Sequence, residues 1–306
     1  MCKTCGCSDG AQTRITHLGV ARGDAPDTLE SPGDVPGYAH EHRHGDAAVH
    51  NDGVHSHAHG GAGSHLHPHP HVPPADGNAH LVSLEARILD KNDRLAERNR
   101  GWLAGRGVFS LNLMSSPGAG KTTLLEKTLA ELAGEFPLAV VEGDQETTHD
   151  AERIRQAGCN VVQINTGQGC HLEADMVAQG LQEIDPAAGS VVFIENVGNL
   201  VCPALFDLGE AARVVILAVT EGEDKPAKYP HMFHGADLIL INKIDLLPYL
   251  SFDLERCLGY LHEVAHHAEV LQISAATGAG LEPWFAWLRA HRNKALSEAG
   301  KVLTGS

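Results

Sequence analysis

The chain has 306 residues, 39 acidic against 23 basic side chains and a formal charge of −16, so no basic stripe is available to neutralise phosphates and general nucleic-acid binding is disfavoured. No run of 18 apolar residues exists, and the first ten residues, MCKTCGCSDG, lack the apolar core of a signal peptide. A soluble, cytoplasmic protein without a membrane partner is expected, its seven cysteines being thiols or metal ligands rather than disulfides.

Residues 1–80 are rich in Gly, Pro, Asp and His and almost without apolar periodicity, which predicts a disordered segment. Cys2, Cys5 and Cys7 place three thiols within six residues, with Gly6 allowing a tight turn. With the chain's α-amine as a nitrogen donor they suit Ni(II), and zinc competes for such thiolate sites. Between residues 40 and 80 stand twelve histidines: His40, His42, His44, His50, His55, His57, His59, His65, His67, His69, His71 and His80. Imidazoles at i, i+2 spacing read as many overlapping nickel sites of modest affinity, a reservoir rather than one specific site. Residues 81–107 then read as an amphipathic helix and linker, with Leu81, Leu84, Ile88, Leu95 and Trp102 as the apolar face and Gly105 and Gly107 as the break.

From Val108 onward, short apolar runs alternate with helical segments. The runs VFSLNLM, LAVVEG, VVQIN, VVFIE, VVILAV, LILIN and VLQIS are nearly continuously apolar, as strands covered on both faces are. Segments such as TTLLEKTLAELAGEF and DAERIRQAG lie between them. The fold class is α/β: a mostly parallel sheet of about seven strands with helices on both faces over residues 108–292, followed by a C-terminal tail, 293–306.

The first of these strands runs into SSPGAGKTT. In this loop Ser115, Ser116, Pro117, Gly118, Ala119, Gly120, Lys121, Thr122 and Thr123 would cradle phosphates: glycines for close backbone approach, Lys121 for the terminal phosphates, Thr122 for magnesium. Ser115 replaces the glycine usual at the first position. Asn242, Lys243 and Asp245 follow LILI, about 120 residues later. A carboxylate there accepts from both N1–H and the exocyclic amine of guanine, a pair adenine does not offer, so the nucleotide is expected to be GTP. Ser274 and Ala275 would close over the base.

Three acids belong with this site. Asp144 ends a strand where a magnesium-linked carboxylate can sit. Asp150 is a candidate to orient the attacking water or sense the γ-phosphate; the alternative is an ordinary acid capping a helix. Glu195, three residues before Gly198, stands where GTPases often carry Asp-x-x-Gly and would hold magnesium through water; the alternative is a buried strand-end carboxylate. Cys170 and His171 end one strand and Cys202 follows another, a donor set suited to zinc or nickel. A homodimer could complete its coordination shell. Cys159 and Cys257 lack such neighbours.

Together the motifs CKTCGC, NLMSSPGAGKTTLL, EGDQETTHDAERI, NTGQGCHLEADM, FIENVGNLVCP, TEGEDKPAKYPHMFHGADLILINKIDLLPY and ISAATGAGL resemble those of the HypB family, GTPases that help insert nickel into [NiFe]-hydrogenase, over nearly the whole chain. The resemblance implies a dimer-forming P-loop GTPase whose nucleotide state is coupled to dimerisation. It implies a high-affinity nickel motif at Cys2, Cys5 and Cys7, a nickel or zinc site at Cys170, His171 and Cys202, and a nucleotide contact by Lys228 near the dimer interface. The family's P-loop accepts serine first. The expected function is thus a GTP-hydrolysing nickel metallochaperone that stores nickel and delivers it during hydrogenase maturation, working with other maturation proteins and the hydrogenase large subunit. Lys121 and Mg2+ would stabilise charge and Asp150 would act on water. With no arginine finger identifiable, turnover on the order of 10⁻² s⁻¹ or below is expected. The alternatives are a urease-accessory nickel GTPase or mainly a nickel store.

Overall fold

The computed structural model describes residues 13–19, 77–145, 149–167 and 169–304. Cys2, Cys5, Cys7 and the histidines from His40 to His71 lie outside them, whereas His80 falls in a helix, α1 (Gly77–Gly105).

Each apolar run forms a strand: β2 (Phe109–Ser115), β3 (Leu138–Asp144), β4 (Asn160–Asn165), β5 (Val191–Glu195), β6 (Ala212–Ala218), β7 (Leu238–Asn242) and β8 (Glu269–Gln272). With β1 (Arg14–Leu18) they make one eight-stranded sheet in the order β1-β4-β3-β5-β2-β6-β7-β8. All neighbours are parallel except β1 and β4. Residues alternate between two covered faces, which explains runs such as Val191–Glu195 with every position buried. Val191 and Phe193 point to a core shared with Leu124 and Leu125 of α2 (Lys121–Leu132) and Trp284 and Leu288 of α9 (Leu281–Thr304). Val192 and Ile194 point to the opposite core, with Leu103 of α1 and Val177 and Leu181 of α4 (Ala174–Ile184). Beyond β2 that second face is covered by Met232 and Phe233 of α7 (Pro230–His234) and Leu261 of α8 (Leu254–Val264). Three further short α-helices among the described residues are α3 (His149–Gln156), α5 (Cys202–Leu205) and α6 (Lys225–Lys228).

Three expectations are corrected. First, β1 lies inside the stretch predicted to lack order, and it raises the strand count from seven to eight. Five residues are too few for a periodicity signal. Ile15 and Thr16 pair with the edge of β4, which would otherwise be open, and His17 holds Asn160 Oδ1 at 2.7 Å. Second, the buried face of α1 is Asn92, Ala96, Asn99 and Leu103, whereas Ile88 and Trp102 are 43% and 38% exposed. The two asparagines satisfy loop backbone: Asn92 Nδ2 donates to Asp207 O at 2.7 Å and Asn99 Nδ2 to Ala174 O at 2.8 Å and Leu208 O at 3.0 Å. A periodicity that counts apolar residues alone therefore selects the wrong face. Third, residues 293–304 are no tail but continue α9, with Ala299 buried against Gly107. Among the described residues no helix is long and apolar enough to cross a membrane.

The register of β1 has a topological result. Arg14 pairs with Asn165 at the carboxyl end of β4, so the N-terminal end of β1 lies at the edge where the parallel strands end.

Candidate functional site

At that carboxyl edge, β2 turns through Ser115–Gly120 into α2. Gly118 and Gly120 take φ of 73° and 99°, conformations that favour glycine, and a Cβ on Gly120 would stand 2.6 Å from Asn242 Nδ2. Asn242, at the end of β7, fastens the loop: its Nδ2 donates to Ala119 O at 2.8 Å and its Oδ1 accepts from Ala275 N at 3.0 Å. Lys243, also at positive φ, donates from Nζ to Gly118 O at 2.7 Å. Ser274 Oγ donates to Asp245 Oδ1 at 2.5 Å. Asn242, Lys243 and, through Asn242, Ala275 are therefore tied to the phosphate loop by direct hydrogen bonds, while Asp245 and Ser274 form a separate bonded pair beside them.

Lys121 Nζ donates to Ser115 Oγ at 3.0 Å, and burial holds its ammonium below the usual range against the pull of Glu195, Asp150, Glu142 and Glu221. Thr122 Oγ1 donates to Glu195 Oε1 at 2.9 Å, while Glu195 Oε2 is buried without a hydrogen-bond partner among the described residues. Burial raises Glu195 to about 7, opposed by Lys121 and Thr122. A hydroxyl beside an unsatisfied buried carboxylate is a hard oxygen pair that fits Mg2+. Asp144 stands half-buried at the end of β3. Asp150 lies in the first turn of α3, where it accepts from Arg153 Nη1 at 3.2 Å, and its charge is felt at both Lys121 and Glu195.

Two acids of this site escaped the reading of the sequence. Glu142 is buried in β3, directly opposite Glu195 in the β3–β5 register, and burial, then Glu195, Asp144 and Asp150, push it up to about 9. An acid within the apolar run LAVVEG was the available signal. Glu221 accepts a hydrogen bond from Ser116 Oγ and another from Ala218 N at 3.0 Å, so it braces the phosphate loop from the end of β6. Lys228 is exposed in α6, where it pairs with Asp224 at 2.6 Å; no described contact brings it to the phosphate loop.

Cys170, His171 and Cys202 converge: one donor atom from each lies within 4.8 Å of the others, the one such group among the described residues. The two Sγ atoms are 3.0 Å apart, and Cys170 Sγ is 3.7 Å from His171 Nδ1. Metal–sulfur and metal–nitrogen bonds of about 2.3 and 2.0 Å fit among donors so spaced. His171 is buried, stacked on Phe206 at a centroid distance of 4.0 Å, and burial lowers it to about 4, so the ring is neutral and able to ligate at neutral pH. Asn196, next to Glu195, ties this loop to the nucleotide side: its Oδ1 accepts from Leu172 N at 3.1 Å and its Nδ2 donates to Asn112 Oδ1 of β2 at 3.3 Å. Cys159 and Cys257 are buried elsewhere, and burial raises both thiols, to about 12 and about 11.

A family model for the CobW/HypB/UreG nucleotide-binding domain matches residues 110–272. The hydrogenase maturation factor HypB of Azotobacter chroococcum mcd 1 is 54% identical over 223 residues, 73% of each chain. That of Escherichia coli K12 is 45% identical over 315 residues, 95% of this chain and 99% of the relative. Among solved structures, HypB from Archaeoglobus fulgidus superposes with a TM-score of 0.63 at 39% identity, covering 67% of this chain and all (100%) of that one. HypB from Helicobacter pylori in complex with nickel gives a TM-score of 0.62 at 38% identity, covering 67% and 96%. The chain belongs to the CobW/HypB/UreG family of nucleotide-binding domains and, within it, to the HypB group.

Proposed function

We propose that the chain is a GTP-hydrolysing nickel metallochaperone of [NiFe]-hydrogenase maturation. The observation that carries this reading is the single structure joining the two chemistries: the loop from Glu195 to Cys202 begins at the Thr122 hydroxyl, passes Pro117 at Gly198, and ends in the thiol–imidazole group. A change at the γ-phosphate would reach the metal donors through seven residues of chain. Asp245 selects guanine, Lys121 and Mg2+ held by Thr122, Asp144 and Glu195 stabilise charge on the phosphates, and Asp150 positions water. Lys228 is assigned a nucleotide contact made in the dimer.

Nickel is the cargo, and zinc is a second ion the same donors can take. Three ligands leave a divalent ion's shell open, and Val201 and Leu205, 53% and 55% exposed, flank Cys202 with apolar surface suited to a second copy of the chain. The N-terminal thiols can also reach this site. Seven residues from Cys7 to Arg14 span up to about 25 Å, at about 3.5 Å each. Arg14 pairs with Asn165 across a gap of about 5 Å, and Cys170 is five residues further on, at most about 18 Å. Nickel can therefore pass from Cys2, Cys5 and Cys7 to Cys170, His171 and Cys202 within one chain in the cytoplasm, with the twelve histidines as reservoir. The recipient is the hydrogenase large subunit, reached together with other maturation proteins.

The test is complementation of a bacterium lacking its own copy. The parent chain should restore hydrogenase at limiting nickel, and Lys121→Ala or Cys202→Ala should not. Restoration by both variants to the parent level would refute the reading, and rescue of urease instead of hydrogenase would favour the urease-accessory alternative.

A further inference from the structure

Glu173 stands two residues after His171, at the N-cap of α4. Its carboxylate does not cap the helix. The Ala174 N–H instead donates to Asn92 Oδ1, at 2.9 Å, so α1 performs part of that task. The Glu173 carboxylate points to the imidazole, with Oε1 3.9 Å from His171 Nε2. Nε2 is itself buried and has no hydrogen-bond partner among the described residues. The other ring nitrogen, Nδ1, faces Cys170 Sγ, and Phe206 lies flat against the ring.

We propose that Glu173 is the positioning residue of the thiol–imidazole centre: it accepts the Nε2 proton of His171 in a hydrogen bond, and so turns the Nδ1 lone pair toward a divalent cation held by Cys170 and Cys202. The inference rests on the metal reading proposed above and adds which nitrogen ligates and what orients it. A cation bound at Nδ1 requires the ring proton on Nε2, and a buried ring N–H needs an acceptor. Glu173 is the acidic side chain adjacent to that nitrogen. Its side chain is 44% exposed, which leaves it room to swing about 1 Å inward to hydrogen-bond distance. On loading, each thiol that ligates releases its proton to solvent. The imidazole ligates as the neutral tautomer with its proton on Nε2, where the Glu173 carboxylate oxygen accepts it in a hydrogen bond.

The experiment uses the full chain and reads iodoacetamide alkylation of each cysteine by peptide mass spectrometry, across buffered free Zn2+ and, separately, Ni2+. The Cys170 and Cys202 peptides report this centre apart from Cys2, Cys5 and Cys7, and buried Cys159 and Cys257 report folding. Glu173→Ala should need about 10- to 100-fold more free metal for half-protection of Cys170 and Cys202. Glu173→Gln retains an acceptor oxygen and should recover most of that loss, which a merely structural role would not require. A Glu173→Ala midpoint within threefold of the parent, or a Glu173→Gln chain as weak as Glu173→Ala, overturns the proposal while leaving the metal reading intact. Parent thiols that neither metal protects overturn both.

Discussion

Gly198 packs directly on Pro117, so that a Cβ added to Gly198 would lie 3.0 Å from the Pro117 Cα and 3.1 Å from its nitrogen. The phosphate loop and the loop leading to Cys202 therefore touch through backbone, with no flexible side chain to absorb a shift. Gly198→Ala should displace one loop against the other. Because misplacement of about 1 Å can cost 10²-fold in rate, GTP hydrolysis measured by phosphate release should fall by about that factor, with the fold retained. Unchanged hydrolysis would mean that this contact does not transmit.

The base-side network predicts guanine selectivity. Asp245 is held by Ser274, and Asn242 holds both the phosphate loop and Ala275. Asp245→Asn replaces one of two acceptor oxygens with a donor, and a site built on such paired contacts can discriminate by about 10⁴-fold. Thermal shift should show GTP but not ATP stabilising the parent, and the preference collapsing by at least about 10²-fold in the variant. Equal stabilisation of the parent by both nucleotides would remove the assignment of Asp245.

The buried acids fix a pH dependence. Burial lifts Glu142 to about 9 and Glu195 to about 7, both above their unfolded value near 4.5. Between the unfolded and folded values these two carboxyls bind more protons in the native chain than in the unfolded one, so without nucleotide their contribution to stability is lost as pH rises from about 4.5 to 9; buried His171, lowered to about 4, opposes this only below about pH 6.5. Glu142→Gln removes most of that slope and should stabilise the nucleotide-free protein at pH 8 by roughly 1–3 kcal/mol. Denaturant melts at pH 6 and pH 8 read the difference; a parent chain more stable at pH 8 than at pH 6 would contradict it.

The tether at β1 is testable by oxidation. In a Cys202→Ser chain, mild oxidant should join Cys170 to one of Cys2, Cys5 or Cys7 within the same molecule, at a rate independent of protein concentration. Ile15→Pro breaks the β1–β4 ladder and lengthens the tether from seven residues to the seventy between Cys7 and α1. Effective concentration falls as about the 3/2 power of tether length, so crosslinking should slow by roughly tenfold or more. Crosslinks formed only between molecules would rule out transfer within one chain.

What the sequence made legible follows from what each signal depends on. The phosphate loop and the Asn242–Asp245 stretch are local, because their chemistry is carried by neighbouring residues whose spacing is fixed by one strand end. The strands were legible because two covered faces leave nearly continuous apolar runs. Glu142 was not, because its partner Glu195 is 53 residues away and meets it through the β3–β5 register. The α1 face was misread because Asn92 and Asn99 are buried for their hydrogen bonds, which hydropathy scores as exposure. β1 was missed because a five-residue strand gains its order from the edge of β4, a property of the partner rather than of its own pattern.

The central claim is that nucleotide state and metal occupancy are coupled through the loop from Glu195 to Cys202. It is tested most directly by titrating buffered free Ni2+ into the full chain bound first to GDP and then to a non-hydrolysable GTP analogue, and reading protection of Cys170 and Cys202 from alkylation. A typical coupling of about 1–3 kcal/mol predicts half-protection midpoints that differ by roughly 5- to 150-fold. By reciprocity, nickel should shift the analogue's affinity by the same factor. Identical midpoints in the two nucleotide states would contradict the account, leaving a metal site that GTP does not govern.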